Sequence, residues 1–137
     1  MINFFLERKD KLIRFFIVGI SLTLLNLLLI YVFVEIFLFN TKLLENIANI
    51  IVIEIGVIFS FFLNKNWTWN ISSNSDVFNQ LLKFHTVVAS TAILRILLFA
   101  LLQSINVTYI VNTILGIILA SFFNFILYDL KVFNEKI

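Results

Sequence analysis

The chain has 137 residues, is 61% hydrophobic and 13% charged, and has a mean hydropathy of +1.06. Soluble domains carry about 25% charged residues, so this composition excludes an ordinary water-soluble domain and indicates a membrane protein. A net charge of only +2 argues against nucleic-acid binding, and the absence of cysteine excludes disulfides and thiolate chemistry. With a single histidine and no glycine-rich phosphate loop, we expect no enzyme, no metal site and no cofactor.

Four long apolar segments follow a short charged leader and predict a single four-helix transmembrane domain. The leader, residues 1–14, mixes Phe, Leu and Ile with four Lys or Arg residues and is expected to lie on the membrane surface. The predicted spans are residues 15–39, 43–64, 81–102 and 109–130. Each is long enough to cross a bilayer, which takes ~20 residues. Because lipid permits only helices or closed barrels, the predicted fold class is an all-α membrane protein.

Positive charges near the helix ends predict the orientation of the chain. Eight Lys or Arg residues lie at the two ends of the chain or beside the polar loop of residues 70–79. At the opposite helix ends there is one, Lys42. Since Lys and Arg accumulate on the cytoplasmic side, we expect both termini and this loop to be cytoplasmic.

The second half of the chain partly repeats the first. At an offset of 69 residues, a basic residue followed by Phe coincides in both halves, and Asn26 matches Arg95. At an offset of 64 residues the segments that close the second and fourth spans coincide, so that Trp69 matches Phe133. The pattern predicts two parallel-repeat hairpins, related by an axis along the membrane normal.

Three polar residues lie deep within the predicted spans. Counted from the basic residues at the cytoplasmic helix ends, Asn26, Glu54 and Arg95 are each ~16–18 Å into a core ~30 Å thick. The opposite charges of Glu54 and Arg95 predict an ion pair, with Asn26 beside it. Two interpretations stay open: a buried pair that fixes helix register, or a substrate path through the membrane.

A second set of polar residues lies at the predicted cytoplasmic rim. Its amides and cations are Asn64, Lys65, Asn124 and Lys131. They suit the binding of a lipid phosphate, although ordinary anchoring at the membrane surface explains them equally well. Trp67, Trp69 and Phe133 follow the same helix ends and are predicted to be interfacial anchors.

Several motifs at the helix ends occur together in one known family. RFFIVG at residues 14–19 opens the first span, which contains Asn26, and FFLNKNWTW at residues 61–69 closes the second. Asn-Phe at residues 124–125 and Val-Phe at residues 132–133 close the fourth. With four spans in the predicted orientation, the chain resembles the GtrA-like family of small four-helix membrane proteins.

The resemblance implies a transport function rather than catalysis. GtrA-like proteins are associated with translocation, or flipping, of a polyprenyl-phosphate-linked sugar across the bacterial cytoplasmic membrane, for glycosylation of a surface polysaccharide or teichoic acid. Membrane lipid and a membrane glycosyltransferase would then be partners. Whether the protein forms a homo-oligomer stays open. One alternative is an ion-coupled exporter similar to the small multidrug resistance proteins, whose carboxylate is in the first helix whereas Glu54 is in the second. Another is a membrane scaffold for a glycosyltransferase.

Overall fold

The computed structural model describes residues 7–39, 41–72 and 76–133. Within these ranges the regular structure is entirely helical, and no strand occurs. The long helices are α1 (Lys9–Tyr31), α2 (Lys42–Leu63), α3 (Val77–Ser104) and α4 (Tyr109–Leu127). Three short π-helical turns continue α1, α2 and α4 without a break: π1 (Val32–Ile36), π2 (Asn64–Thr68) and π3 (Tyr128–Val132).

Four continuous helical segments of the described chain are long and apolar enough to cross a membrane. They are Lys9–Ile36, Lys42–Thr68, Val77–Ser104 and Val111–Val132. The shortest has 22 residues, which at 1.5 Å per residue is ~33 Å and exceeds a hydrocarbon core of ~30 Å. The predicted all-α class and the four spans are confirmed. Because α1 already begins at Lys9, the second part of the predicted leader is continuous with the first span, while residues 1–6 lie outside the described residues.

The chain forms two compact units, Met1–Ser72 and Ser73–Ile137, which we call the first and second hairpins. In the first hairpin, Ala48, Val52 and Gly56 are buried and share one face of α2 through their spacing of four residues. Lipid gives no hydrophobic force that would drive helices together, so membrane helices associate through close packing. Small residues such as Ala48 and Gly56 permit that packing because they have little or no side chain.

The first hairpin ends in a hydrogen-bonded turn that follows α2. In π2 the backbone N–H of Trp69 donates to the carbonyl of Asn64 over 2.8 Å, and that of Ile71 donates to the carbonyl of Lys65 over 2.9 Å. Asn70 has a left-handed φ of 53°, a conformation that Asn tolerates better than most residues. The Trp69 ring then packs edge-on against Phe15 of α1, with 6.3 Å between ring centroids.

The second hairpin ends in the same way, 64 residues later. In π3 the N–H of Phe133 donates to the carbonyl of Tyr128 over 2.8 Å. The Phe133 ring lies 6.1 Å from Phe84 of α3, and Phe84 stacks on Tyr128 with 4.3 Å between centroids. The aromatic closure of one hairpin is therefore reproduced in the other, in the register that the sequence repeat predicts.

Candidate functional site

A groove of about 240 Å³ opens between α1 and α2 of the first hairpin, and we call it the polar groove. Its lining residues are Thr23, Asn26, Leu27, Ile30, Asn49, Val52 and Ile53. Three of these seven carry a hydroxyl or an amide, while the surrounding helix surfaces are apolar. In a membrane such a groove offers hydrogen bonds where lipid offers none.

Counting residues along the helices, we expect the polar groove at the level of the middle of the bilayer. Thr23 and Asn26 follow Arg14 by 9 and 12 residues, which places them ~14 and ~18 Å from that end of α1. Asn49 follows Lys42 by 7 residues and is therefore ~10 Å from the other end of the hairpin. In a core ~30 Å thick the three side chains span the central part, where unpaired polar groups are most costly.

Asn26 has the most unusual environment of the groove residues. Its Oδ1 atom is buried and has no hydrogen-bond partner among the described residues. The amide lies directly against Gly56, where a β-carbon would be only 2.7 Å from Oδ1 and 3.1 Å from Nδ2. The absent side chain at Gly56 thus makes the space that Asn26 occupies, and Oδ1 is enclosed there with its acceptor capacity unused.

Glu54 occupies a different face of α2 from the polar groove. At 100° per residue it is about 140° around the helix from Asn49, and its side chain is exposed. Asn26 and Glu54 therefore do not converge within the first hairpin, although they share a depth in the membrane. The ion pair predicted between Glu54 and Arg95 joins residues of different hairpins and stays a prediction.

Arg95 is the deep charge of the second hairpin. Its side chain is exposed, and its aliphatic stem crosses α4 at Gly116. A β-carbon at Gly116 would lie 3.2 Å from Cγ and 3.5 Å from Nε of Arg95. The position in α3 that matches Asn26 in α1 thus also carries a polar side chain packed over a glycine of the following helix.

The predicted phosphate-binding residues of π2 are enclosed by the protein. The Asn64 amide donates to the carbonyl of Ser60 over 2.9 Å and to its Oγ over 3.2 Å, and Asn64 Oδ1 accepts from Thr68 over 2.9 Å. Lys65 is only 2% exposed. Asn64 therefore holds α2 and π2 together, and Lys65 brings a positive charge into the interior at the helix end.

The corresponding residues of the second hairpin differ in exposure. Asn124 Oδ1 accepts a hydrogen bond of 2.8 Å from the hydroxyl of Thr91, which links α4 to α3. Lys131, in π3, is exposed. Of the four residues predicted at the cytoplasmic rim, Lys131 is the one whose side chain is exposed and can meet a headgroup directly.

The three aromatic residues predicted as anchors also divide into two kinds. Trp67 is 42% exposed, and the guanidinium carbon of Arg14 lies 6.0 Å from its ring centroid. Arg14 also donates to the Trp67 carbonyl over 3.0 Å, so these two residues present a cation and an indole together at the helix end. Trp69 and Phe133 are buried, and their rings hold the ends of their own hairpins closed.

Sequence reasoning did not identify Thr23 and Asn49 as parts of the site. A signal for Thr23 was present, because Thr23 and Asn26 are three residues apart and share one helix face. Asn49 lies near the start of a span and had no partner that the sequence could name. Among the described residues, no three His, Cys, Asp or Glu side chains are grouped closely enough to hold a metal ion.

Comparison with known proteins places this arrangement in a family. The family described as GtrA/DPMS, transmembrane domain, matches residues 14–133, which include all four predicted spans. The chain is also 30% identical, over 111 residues, to a dolichol-phosphate mannosyltransferase of Pyrococcus furiosus. That match covers 81% of this chain but 30% of the relative, so the chain spans less than a third of the length of that protein. This multi-pass membrane protein belongs to the GtrA/DPMS transmembrane domain family.

Proposed function

We propose that the protein translocates a polyprenyl-phosphate-linked sugar across the membrane, with the sugar passing along the polar groove and the lipid tail staying in the bilayer. The observation that carries the proposal is the polar groove itself, which Thr23, Asn26 and Asn49 line at mid-membrane depth. Family membership and the dolichol-phosphate mannosyltransferase relative support a polyprenyl phosphate as the lipid.

The physical need for such a groove comes from the sugar hydroxyls. Moving one hydroxyl from water to hydrocarbon without a hydrogen bond costs roughly 4–8 kcal/mol, so an unaided sugar crosses extremely slowly. Hydroxyl and amide groups of Thr23, Asn26 and Asn49 replace part of the lost hydration, one after another along the path. The groove volume of about 240 Å³ equals that of about eight water molecules, which suits a compact headgroup.

Cations at the predicted cytoplasmic end serve the phosphate in this proposal. Lys131 is exposed and meets the phosphate directly, whereas Lys65 is enclosed at the end of its own hairpin. Trp67 and Arg14 hold the same end at the headgroup level. The chain itself performs no bond chemistry in this proposal.

A second candidate is a membrane platform that positions a separate glycosyltransferase. Its support is the relative, since the similar segment there forms 30% of a protein named as a transferase. A platform needs exposed helix faces for its partner but does not need a polar groove. Substitution of Asn26 or Asn49 should therefore impair translocation, whereas it should leave the function of a platform intact.

The experiment is a translocation assay with the purified protein alone in liposomes. Glucosyl undecaprenyl phosphate is the probe, and its accessibility to an added enzyme from outside the liposome is followed with time. We expect the wild-type protein to accelerate exposure of the inner-leaflet lipid, and Asn26→Leu and Asn49→Leu to slow it about tenfold or more. Asn46→Leu is the matched control, because Asn46 is an exposed amide of α2 outside the polar groove.

Two results would count against translocation. One is a wild-type rate equal to that of protein-free liposomes, which would favour the platform. The other is an equal loss in Asn26→Leu and Asn46→Leu, which would show that the polar groove has no special role. Co-purification of a transferase with the wild-type protein and with Asn26→Leu alike would further support the platform.

A further inference from the structure

The sequence repeat relates a side-chain contact of the first hairpin to one of the second. In the first hairpin, Phe15 of α1 packs against Trp69 with 6.3 Å between ring centroids. At offsets of 69 and 64 residues the matching residues are Phe84 and Phe133, and their rings also pack, at 6.1 Å. A contact in one hairpin therefore indicates where the matching residues of the other lie.

A second contact of the first hairpin adjoins that one. Arg14 precedes Phe15 in α1, and its guanidinium donates to the Trp67 carbonyl over 3.0 Å and lies 6.0 Å from the indole centroid. At the same offsets of 69 and 64 residues, the matching residues of the second hairpin are Lys83 and Lys131. Where the first hairpin has a cation beside an indole, the second thus has two cations.

The packing of the second hairpin supports the proximity of these lysines. Phe84 directly follows Lys83, and it stacks on Tyr128 with 4.3 Å between ring centroids. Lys131 lies between Tyr128 and Phe133 in the chain, and both of these rings contact Phe84. Because lysine has a flexible stem of four carbons, both ammonium groups can reach one ligand at this end of the hairpin.

The charges of the two lysines are available to a ligand. Both side chains are exposed, and neither has a hydrogen-bond or ion-pair partner among the described residues. Asp129, the acidic residue of π3, is buried rather than exposed beside them. Two like charges close together repel each other, and an anion bound between them relieves that repulsion. The pair therefore favours an anionic ligand.

The position of the lysines indicates that this anion belongs to a lipid. Lys83 is near the start of the apolar helix Val77–Ser104, and Lys131 is at the end of Val111–Val132. Lysines at the ends of such helices extend to the headgroup level of a membrane. A phosphate monoester carries a charge of about −1.5 to −2 at pH 7, whereas a phosphate diester carries a single negative charge. Two ammonium groups match the monoester better.

We propose that Lys83 and Lys131 form a phosphate-binding site of the second hairpin, and that it prefers the sugar-free polyprenyl phosphate, a monoester, over the sugar-linked diester. The identity of the carrier lipid rests on the proposed function. The site itself lies within the second hairpin. The first hairpin has no equivalent pair, because the residue that matches Lys131 there is Trp67.

The first test examines the geometry without any ligand. The chain has no cysteine, so a Lys83→Cys/Lys131→Cys protein in nanodiscs can be treated with a short bifunctional thiol reagent. We expect an intramolecular cross-link, which mass spectrometry distinguishes from two separate additions. Lys83→Cys/Asn106→Cys is the control and should not cross-link, because Asn106 lies beyond the far end of α3. Separate additions at both Lys83→Cys and Lys131→Cys would overturn the site.

The second test measures equilibrium binding to the purified full chain in nanodiscs. The probes are undecaprenyl phosphate, glucosyl undecaprenyl phosphate and the uncharged alcohol undecaprenol. Lys83→Gln and Lys131→Gln are each expected to weaken binding of undecaprenyl phosphate about 2- to 10-fold, and the double variant about 5- to 50-fold. The double variant should also lose the preference for undecaprenyl phosphate over the glucosylated lipid, while the affinity for undecaprenol stays unchanged.

Two further variants separate a defined site from total charge and from loss of fold. Lys9→Gln removes an exposed lysine of the first hairpin and should leave all three affinities near the wild-type values. Lys83→Arg/Lys131→Arg keeps both charges and should retain most of the binding that the double glutamine variant loses.

Three results of the binding test would overturn the inference. Equal losses in Lys9→Gln and Lys83→Gln would show that only total charge matters, and a wild-type protein without preference for the monoester would contradict the proposed specificity. Equal affinity for phosphatidic acid, another lipid monoester, would assign the site to ordinary anionic lipid. None of these results decides translocation, which fails only if the wild-type protein in liposomes does not accelerate exposure of the lipid-linked sugar.

Discussion

Replacing Gly56 by alanine tests whether the Asn26 amide is held where the structure places it. The new β-carbon would lie 2.7 Å from Oδ1 of Asn26, well inside van der Waals contact, so the amide has to move. Overpacking of this kind costs about 1–3 kcal/mol. Alanine in a helix interior regains about 0.5–1 kcal/mol over glycine, so we expect Gly56→Ala to range from nearly neutral to destabilising by about 2.5 kcal/mol.

The chain offers a matched control for this substitution. A β-carbon at Gly19, in α1, would meet nothing within 4 Å, so Gly19→Ala should stabilise by up to about 1 kcal/mol. The informative quantity is the difference between the two variants, which we expect to be about 1–3 kcal/mol. In an Asn26→Ala background the collision disappears, and Gly56→Ala should then behave like Gly19→Ala.

The measurement is the free energy of reversible unfolding in mixed detergent micelles, for the four proteins of a double-mutant cycle and for Gly19→Ala. We expect a coupling free energy between Asn26 and Gly56 of about 1–3 kcal/mol, which is the cost of overpacking. If Gly56→Ala stabilised as much as Gly19→Ala in the wild-type background, the close approach of the Asn26 amide would be refuted.

Further predictions concern the orientation, the end of α2 and the predicted cytoplasmic rim. The chain has no cysteine, so single cysteines can be introduced at the exposed positions Ser72 and Asn106. An impermeant thiol reagent should label them from opposite sides of the membrane, Ser72→Cys from the cytoplasm. Labelling of both from one side would contradict the predicted orientation. Asn64→Leu removes the hydrogen bonds of Asn64 to Ser60 and leaves the buried hydroxyl of Thr68 without its acceptor. We therefore expect the free energy of unfolding to fall by about 2–4 kcal/mol. A loss below about 0.5 kcal/mol would show that these hydrogen bonds are unimportant for stability. Lys131→Gln should weaken binding of undecaprenyl phosphate about 2- to 10-fold, and the difference from the wild-type protein should become smaller at high salt. A difference that does not depend on salt would argue against direct contact between Lys131 and the phosphate.

The aromatic ends of the two hairpins show which structural features a sequence repeat can predict and which it cannot. Trp69 and Phe133 match at an offset of 64 residues, and each lies after a π-helical turn and packs on an aromatic ring of the first helix of its own hairpin. The repeat predicted that the two ends are alike. It did not show that these rings are buried rather than exposed to the headgroups, because an aromatic residue at a helix end suits both environments.

The sequence by itself determined the four helical spans and their approximate limits, because the length and polarity of a segment decide whether it can cross lipid. It also determined that the two halves resemble one another. Only the tertiary structure decided which polar residues share a surface: Asn26 lies with Asn49 in the polar groove, whereas Glu54 is on another face of α2. The physical reason is that lipid is as apolar as a protein interior, so a membrane helix has no polar face to mark its outside, and periodicity does not reveal which side packs.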